Sequence, residues 1–185
     1  MEGVIRTRVG YAGGTLESPT YHNLGDHTES IQVDYDPEVV SYNQLLDVFW
    51  ENHNPFSQSF SRQYAAILFF HGSEQEKQAR DSAARLEEEN GRKVQTKISR
   101  YSEFFMAEDY HQKYALRGDR VILGEFVQIY PDEVDLVAST AAARVNGYLG
   151  GNGNADQLKR ELPLLGLSPE TQKRLIRLLP SIGSN

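Results

Sequence analysis

Cysteine is missing from the sequence altogether, since none of the 185 residues is a cysteine. Disulfide bonds, thiolate metal sites and cysteine nucleophiles within the chain are therefore excluded. Long apolar runs are also missing: no stretch reaches the roughly 18 uncharged residues of a membrane-spanning helix, and residues 1–8 lack the apolar run of a secretory signal. Basic residues are outnumbered, 19 against 26, so the net charge is −7 and no basic excess exists for a phosphate backbone. We expect a cytoplasmic protein that binds neither nucleic acid nor a membrane.

Residues 1–118 alternate between patterns typical of strands and of helices. Ile31, Val33 and Tyr35 share one face of a half-buried strand, and the nearly continuous apolar run at 64–70 is typical of a central strand buried on both faces. Capping boxes at Ser41 and Ser73 each begin a helix. The complete set comprises strands at 4–11, 30–35, 64–70 and 93–99 and helices at 42–50 and 73–90. This order predicts an α+β fold, a mixed β-sheet with helices packed on it.

After Gly118 the sequence becomes helical in character. Apolar residues at 134–149 keep helical spacing, and a short helix is expected at 158–165. Ser168 followed by Pro169 is typical of a helix N-terminus and predicts a last helix. We therefore divide the chain into an α+β domain, residues 1–118, and a helical C-terminal extension, residues 119–185.

Polar and aromatic residues are concentrated in short motifs between the predicted strands. The motifs are Gly10-Tyr11-Ala12-Gly13-Gly14, Pro19-Thr20-Tyr21, His27-Thr28-Glu29, the segment 48–55, Gln63-Tyr64 and the segment 107–112. In this order and at these separations they closely resemble the motifs of the A-type peptide methionine sulfoxide reductases. Each motif alone is weak, whereas six in order are specific. The resemblance covers residues 1–116 and implies the family's ferredoxin-like core.

The resemblance implies an oxidoreductase that repairs oxidised proteins by returning methionine sulfoxide to methionine. It implies that the hydroxyls of Tyr21 and Tyr64 donate to the sulfoxide oxygen and that Glu29 is the general acid. Glu29 would have to be protonated when the substrate arrives, so we expect burial to raise its pKa. The implied reductant is thioredoxin or another thiol, with no cofactor. If each of these three residues is considered alone, a structural role as a packed or solvated side chain is a simpler interpretation than a catalytic role.

The sequence departs from the family's pattern where the nucleophile is expected. The family's catalytic cysteine lies in an upstream Gly-Cys-Phe-Trp-Gly motif that has no counterpart here. Asn54 also stands where the family has an aspartate, and the loop 56–61 lacks an expected acidic residue. Two explanations stay open: an incomplete reading of a longer active reductase, which we favour, or a thiol-free relative that binds methionine sulfoxide or peptides without catalysis. We expect the sheet to lack one inner strand and to expose an apolar face.

Other residues of the sequence allow further interpretations. His22, Asp26 and His27 could suggest a metal site, but the remaining ligands have no clear source, so we expect none. His53 and His111 are expected to orient neighbouring loops. A third hypothesis assigns the function to the helical extension, as the binding surface of a plain interaction protein.

Overall fold

The computed structural model describes residues 1–179, which form a mixed α+β architecture. The strands are β1 (Val4–Ala12), β2 (Thr28–Tyr35), β3 (Ile67–Phe70), β4 (Lys97–Arg100) and β5 (Phe104–Met106). The helices are α1 (Tyr42–Glu51), α2 (Ser73–Asn90), α3 (Tyr114–Arg117), α4 (Arg120–Ile129), α5 (Glu133–Ala138), α6 (Thr140–Leu149), α7 (Ala155–Glu161) and α8 (Pro169–Leu178). Short 3-10 turns lie at Asp109–His111 and Leu162–Leu164. The predicted fold class is confirmed.

One of the two sheets is antiparallel and has the strand order β2-β1-β5. Its register places Val9 opposite Ile31 and Tyr11 opposite Glu29. Gly10 is required where β1 meets β5, because a Cβ there would lie 2.2 Å from the Phe105 carbonyl oxygen. The sheet thereby brings the end of β1 and the start of β2 together.

A second, parallel pair of strands, β3 and β4, carries helices α1 and α2. The interface is mainly apolar, and within it the Trp50 indole donates to the Ser82 hydroxyl at 3.0 Å. The predicted central strand at 64–70 is wrong in extent and burial, since β3 begins at Ile67 and only Phe70 is buried. In the described chain β3 pairs with β4 alone, so one of its edges has no strand beside it.

The predicted half-burial of one face of β2 is found at Val33 and Tyr35 but is wrong for Ile31. Ile31 is 63% exposed, and in residues 1–179 the only strand beside β2 is β1. The turn before β3 is hydrogen-bonded to the start of β2: the Glu29 amide donates to the Gln63 carbonyl at 3.0 Å, and the Thr28 hydroxyl donates to the same carbonyl at 2.9 Å. Past that point β2 and β3 are not paired.

Helix boundaries follow their capping residues. The Ser41 capping box at α1 and the Ser168 cap of α8 are confirmed. The box predicted at Ser73 is wrong, because Ser73 is already the first residue of α2 and the helix is preceded by Gly72. The expected helix at 134–149 is broken at Ser139, which ends α5 and whose side chain caps α6. Helix α4 was not predicted.

Helices α3 to α8 share one hydrophobic core, and α5 and α6 also contact β1. The core includes Leu116, Ile122, Phe126, Leu136, Val145, Leu158 and Leu175. None of the helices in residues 1–179 is both long and apolar enough to cross a membrane.

Side chains that follow β5 cover the edge of β1. The Gln112 amide accepts from the Val9 N–H at 3.0 Å and donates to the Val9 carbonyl at 2.7 Å. The buried Lys113 ammonium donates to the Thr7 carbonyl at 2.5 Å. These bonds satisfy backbone groups of β1 that lie beyond the end of β5.

Candidate functional site

A cavity of about 290 Å³ lies over the β1–β2 sheet, beside the segment that follows β5. Its walls combine apolar side chains with hydroxyl, carboxyl and imidazole groups. They include Val9, Tyr11, Tyr21, Glu29, Ile31 and His111.

Tyr21 reaches this cavity from the loop 13–27. Reciprocal backbone hydrogen bonds between Thr20 and Asn23, of 3.1 and 3.0 Å, fold the tip of the loop. The Tyr21 N–H donates to the Glu108 carboxylate at 3.0 Å, and its ring lies 4.7 Å from the His111 ring. Tyr21 is therefore attached to the segment after β5 by its backbone and by its ring.

Asp26 and His27 hold the other part of the loop. The Asp26 carboxylate accepts from the Thr15 N–H at 2.7 Å and from the Thr15 hydroxyl and Leu16 N–H, which lowers the pKa of Asp26 to about 2. His27 is buried, accepts from the Gly14 N–H at 3.2 Å and donates to the Leu16 carbonyl at 2.9 Å. Both ring nitrogens of His27 are thus committed to the loop. Residues 1–179 contain no group of three His, Asp or Glu that could hold a metal.

Glu29 lines the cavity at the start of β2. Its carboxylate accepts from the Gln63 side-chain amide at 2.6 Å. The side chain is exposed, so the burial that we expected for Glu29 is not found. The physical reason is the unpaired outer edge of β2, which leaves this side of the carboxyl open to water.

Tyr64 lies in the turn before β3 and is 62% exposed. It does not line the cavity, but Tyr21 and Glu29 are near enough to affect the pKa of its hydroxyl. The neighbouring Tyr21 is the main cause that raises the pKa of Tyr64, followed by desolvation and by Glu29. The structure thus brings Tyr21 and Glu29 to one cavity and places Tyr64 beside both.

Two residues at this site, Tyr11 and Glu108, have no role predicted from the sequence, and His111 is expected there only to orient a neighbouring loop. The buried Tyr11 hydroxyl donates to Glu108 at 2.6 Å, although the two residues are 97 positions apart. Among the described residues the His111 Nε2 atom is buried and has no hydrogen-bond partner. These residues belong to the motifs found in the sequence, but no local pattern indicates that their side chains contact one another.

The arrangement suits a small ligand with one strong hydrogen-bond acceptor. Tyr21 and Tyr64 carry hydroxyl donors, Glu29 carries a carboxyl group, and Val9 and Ile31 supply apolar surface. Donors that converge on one acceptor can stabilise charge that develops there during a reaction. The chain itself supplies no thiol, because it has no cysteine.

Comparison with known sequences finds similarity to peptide methionine sulfoxide reductases. The family model described as peptide methionine sulfoxide reductase matches residues 1–129. A peptide methionine sulfoxide reductase of Drosophila melanogaster is 43% identical over 176 residues, which are 93% of this chain and 69% of that protein. Peptide methionine sulfoxide reductase A5 of Oryza sativa is 40% identical over 154 residues, or 80% of this chain and 60% of the relative.

Solved structures show the same likeness. Reduced Mxr1 of Saccharomyces cerevisiae superposes with a TM-score of 0.59 at 27% identity, covering 64% of this chain and 73% of that one. Methionine sulfoxide reductase A of Corynebacterium diphtheriae superposes with a TM-score of 0.54 at 31% identity, covering 63% and 65%.

Proposed function

Because this chain belongs to the peptide methionine sulfoxide reductase family, we propose that its cavity binds methionine sulfoxide in peptides, for reduction to methionine. The observation that carries the proposal is the meeting of Tyr21 and Glu29 in one cavity with Tyr64 beside them. The three residues come from a loop, a strand and a turn that are distant in sequence.

Each group has a distinct part in the proposed reaction. The hydroxyls of Tyr21 and Tyr64 donate to the sulfoxide oxygen, and Glu29 supplies a proton as the S–O bond breaks. Because Glu29 is exposed without a ligand, this role requires that the bound substrate cover its carboxyl group. General acid assistance of this kind contributes roughly 100- to 10,000-fold. Val9 and Ile31 offer the apolar surface for the substrate's alkyl groups.

The electrons must come from thiols that this chain does not contain. Two thiols supply two electrons and two protons: they end as a disulfide, the sulfoxide becomes a sulfide, and its oxygen leaves as water. A thiol attacks only as its thiolate. We propose thioredoxin or another thiol as the reductant of a form that carries the nucleophilic cysteine. The 185-residue chain has no cysteine, so we expect it to show no turnover with either dithiothreitol or thioredoxin.

A non-catalytic binding module is the second candidate, and the zero cysteine count favours it. Such a module would use the same cavity to recognise oxidised methionine on a partner. Turnover in a thiol-bearing form of the protein, with the same cavity residues required, would separate the two functions.

Calorimetric titration of the chain with N-acetylmethionine sulfoxide amide tests the shared proposal. We expect the sulfoxide to bind more tightly than N-acetylmethionine amide, which lacks the oxygen. Tyr21→Phe and Tyr64→Phe should each weaken sulfoxide binding roughly 3- to 10-fold, the value of one hydrogen bond.

Tyr101→Phe is the matched control, because Tyr101 stacks on His71 outside this cavity. It should leave both affinities unchanged. Equal affinity of the unaltered chain for sulfoxide and sulfide would contradict the proposed function.

A further inference from the structure

Glu108 connects three separate parts of the chain at the cavity. One carboxylate oxygen accepts from the Tyr11 hydroxyl at 2.6 Å, and the other accepts from the Tyr21 N–H at 3.0 Å. Tyr11 is in β1, Tyr21 is in the loop 13–27, and Glu108 follows β5. The Glu108 side chain therefore hydrogen-bonds both to the sheet and to the loop at Tyr21.

Apart from the bond to Glu108, the backbone hydrogen bonds near Tyr21 stay within the loop. The backbone bonds between Thr20 and Asn23 are internal to the loop, so they do not attach it to the sheet. The Asp26 and His27 side chains hydrogen-bond to residues 14–16 of the same loop. The His27 ring also packs on Phe105 of β5 at 5.3 Å, which holds the end of the loop at residue 27 but not its tip at Tyr21. The Tyr21 ring packs against His111, in the same segment as Glu108, and against the cluster of Tyr11, Leu24 and Ala107.

Charge makes the Glu108 contact strong. Its pKa is lowered to about 2, first by the Tyr11 hydroxyl and then by the Tyr21 N–H, so the carboxylate is ionised at neutral pH. Tyr11 is 2% exposed, and burial followed by the bond to Glu108 raises the pKa of Tyr11, which keeps it a hydroxyl donor. Hydrogen bonds to an ionised acceptor are about twice as strong as neutral ones.

We propose that Glu108 is a positioning residue for sulfoxide recognition, which acts by holding Tyr21 so that its hydroxyl meets the sulfoxide oxygen. This inference rests on the proposed function of the cavity. Glu108 does not itself touch the ligand. Its loss shifts the Tyr21 hydroxyl and weakens binding of the sulfoxide, while a sulfide without that oxygen is affected much less.

The test is the ratio of affinities for N-acetylmethionine sulfoxide amide and N-acetylmethionine amide, measured by calorimetry on the full chain. Glu108→Ala removes both hydrogen bonds, and the preference for the sulfoxide should fall about tenfold. Glu108→Gln retains an acceptor for the Tyr21 N–H and a donor to the Tyr11 oxygen, so the preference should stay within about twofold. Glu103→Ala, at an exposed carboxylate just before β5, is the control that should change nothing.

Thermal melting of the same variants separates positioning from stability. If Glu108→Ala lowers the melting temperature but keeps the sulfoxide preference, Glu108 is structural only and the inference is overturned. If Glu108→Gln loses the preference as fully as Glu108→Ala, the positioning account is equally wrong. If the unaltered chain shows no preference, the proposed function itself fails, and that result is distinct from the other two.

Discussion

At the scale of single residues, the most unusual environment belongs to Lys113. Its side chain is 4% exposed, and its ammonium donates to the Thr7 carbonyl at 2.5 Å and to the Thr7 hydroxyl at 3.3 Å. No salt bridge in the described residues includes it. Burial, and next the nearby Arg8, lower the pKa of Lys113 from 10.5 to about 8.

This lowered pKa predicts a specific pH dependence of stability. Between about pH 8 and pH 10.5 the unfolded chain holds the Lys113 proton and the folded chain releases it, so raising the pH favours the folded state. We expect the free energy of unfolding, relative to Lys113→Met, to rise by about 2 kcal/mol between about pH 8 and pH 9.5. Urea denaturation of both proteins measures this difference, and titrations common to both cancel.

Parallel stability curves for the two proteins across that window would show that Lys113 keeps an ordinary pKa. Below about pH 8 the two curves should run parallel in any case, because Lys113 is protonated in both states.

At the scale of secondary structure elements, the join between β1 and β5 depends on one glycine. A Cβ at Gly10 would lie 2.2 Å from the Phe105 carbonyl oxygen and 2.5 Å from the Phe104 ring. The backbone oxygen cannot move away without breaking the strand pair. The cavity would be affected too, because Gly10 lines it.

Gly10→Ala is therefore expected to destabilise the protein by about 1–3 kcal/mol, the usual cost of overpacking. Gly124→Ala is the matched control: a Cβ at this exposed position in α4 meets nothing within 4 Å. It should be neutral or stabilising by up to about 1 kcal/mol. Chemical denaturation compares the two, and a Gly10→Ala protein as stable as the control would contradict the packing argument.

Local signals predicted those elements that depend on local contacts. The Ser41 capping box fixed the start of α1, and Pro169 fixed that of α8, because caps act within one turn. The apolar run at 64–70 led to a wrong prediction of a buried central strand, since the burial of a strand depends on which strands lie beside it. The roles of Tyr21 and Glu29 came from motifs, whereas Glu108 was missed because its partners are about 90 residues away.

At the scale of the whole molecule, residues 63–65 hydrogen-bond the start of β2 to the turn before β3. Beyond that contact the outer edge of β2 is unpaired in residues 1–179, and Ile31 on it is 63% exposed. An unpaired edge beside apolar surface invites pairing with a further strand. Apolar area left in water costs about 25 cal/mol per Å², against a total stability of some 5–15 kcal/mol for a domain.

The last prediction concerns this edge. A protein extended at its N-terminus by the family's strand and helix with the Gly-Cys-Phe-Trp-Gly motif should melt at a higher temperature than the 185-residue chain, because the strand pairs with β2 and covers Ile31.

With the cysteine present, the extended protein should reduce methionine sulfoxide with a thiol reductant. The same extension with serine at the cysteine should keep the higher melting temperature without turnover, since a hydroxyl is a far weaker nucleophile than a thiolate. Scanning calorimetry and a reductase assay measure the two effects separately. If the 185-residue chain melts cooperatively as a monomer at the temperature of the extended protein, the edge of β2 needs no further strand. The binding module would then be the better account of the cavity.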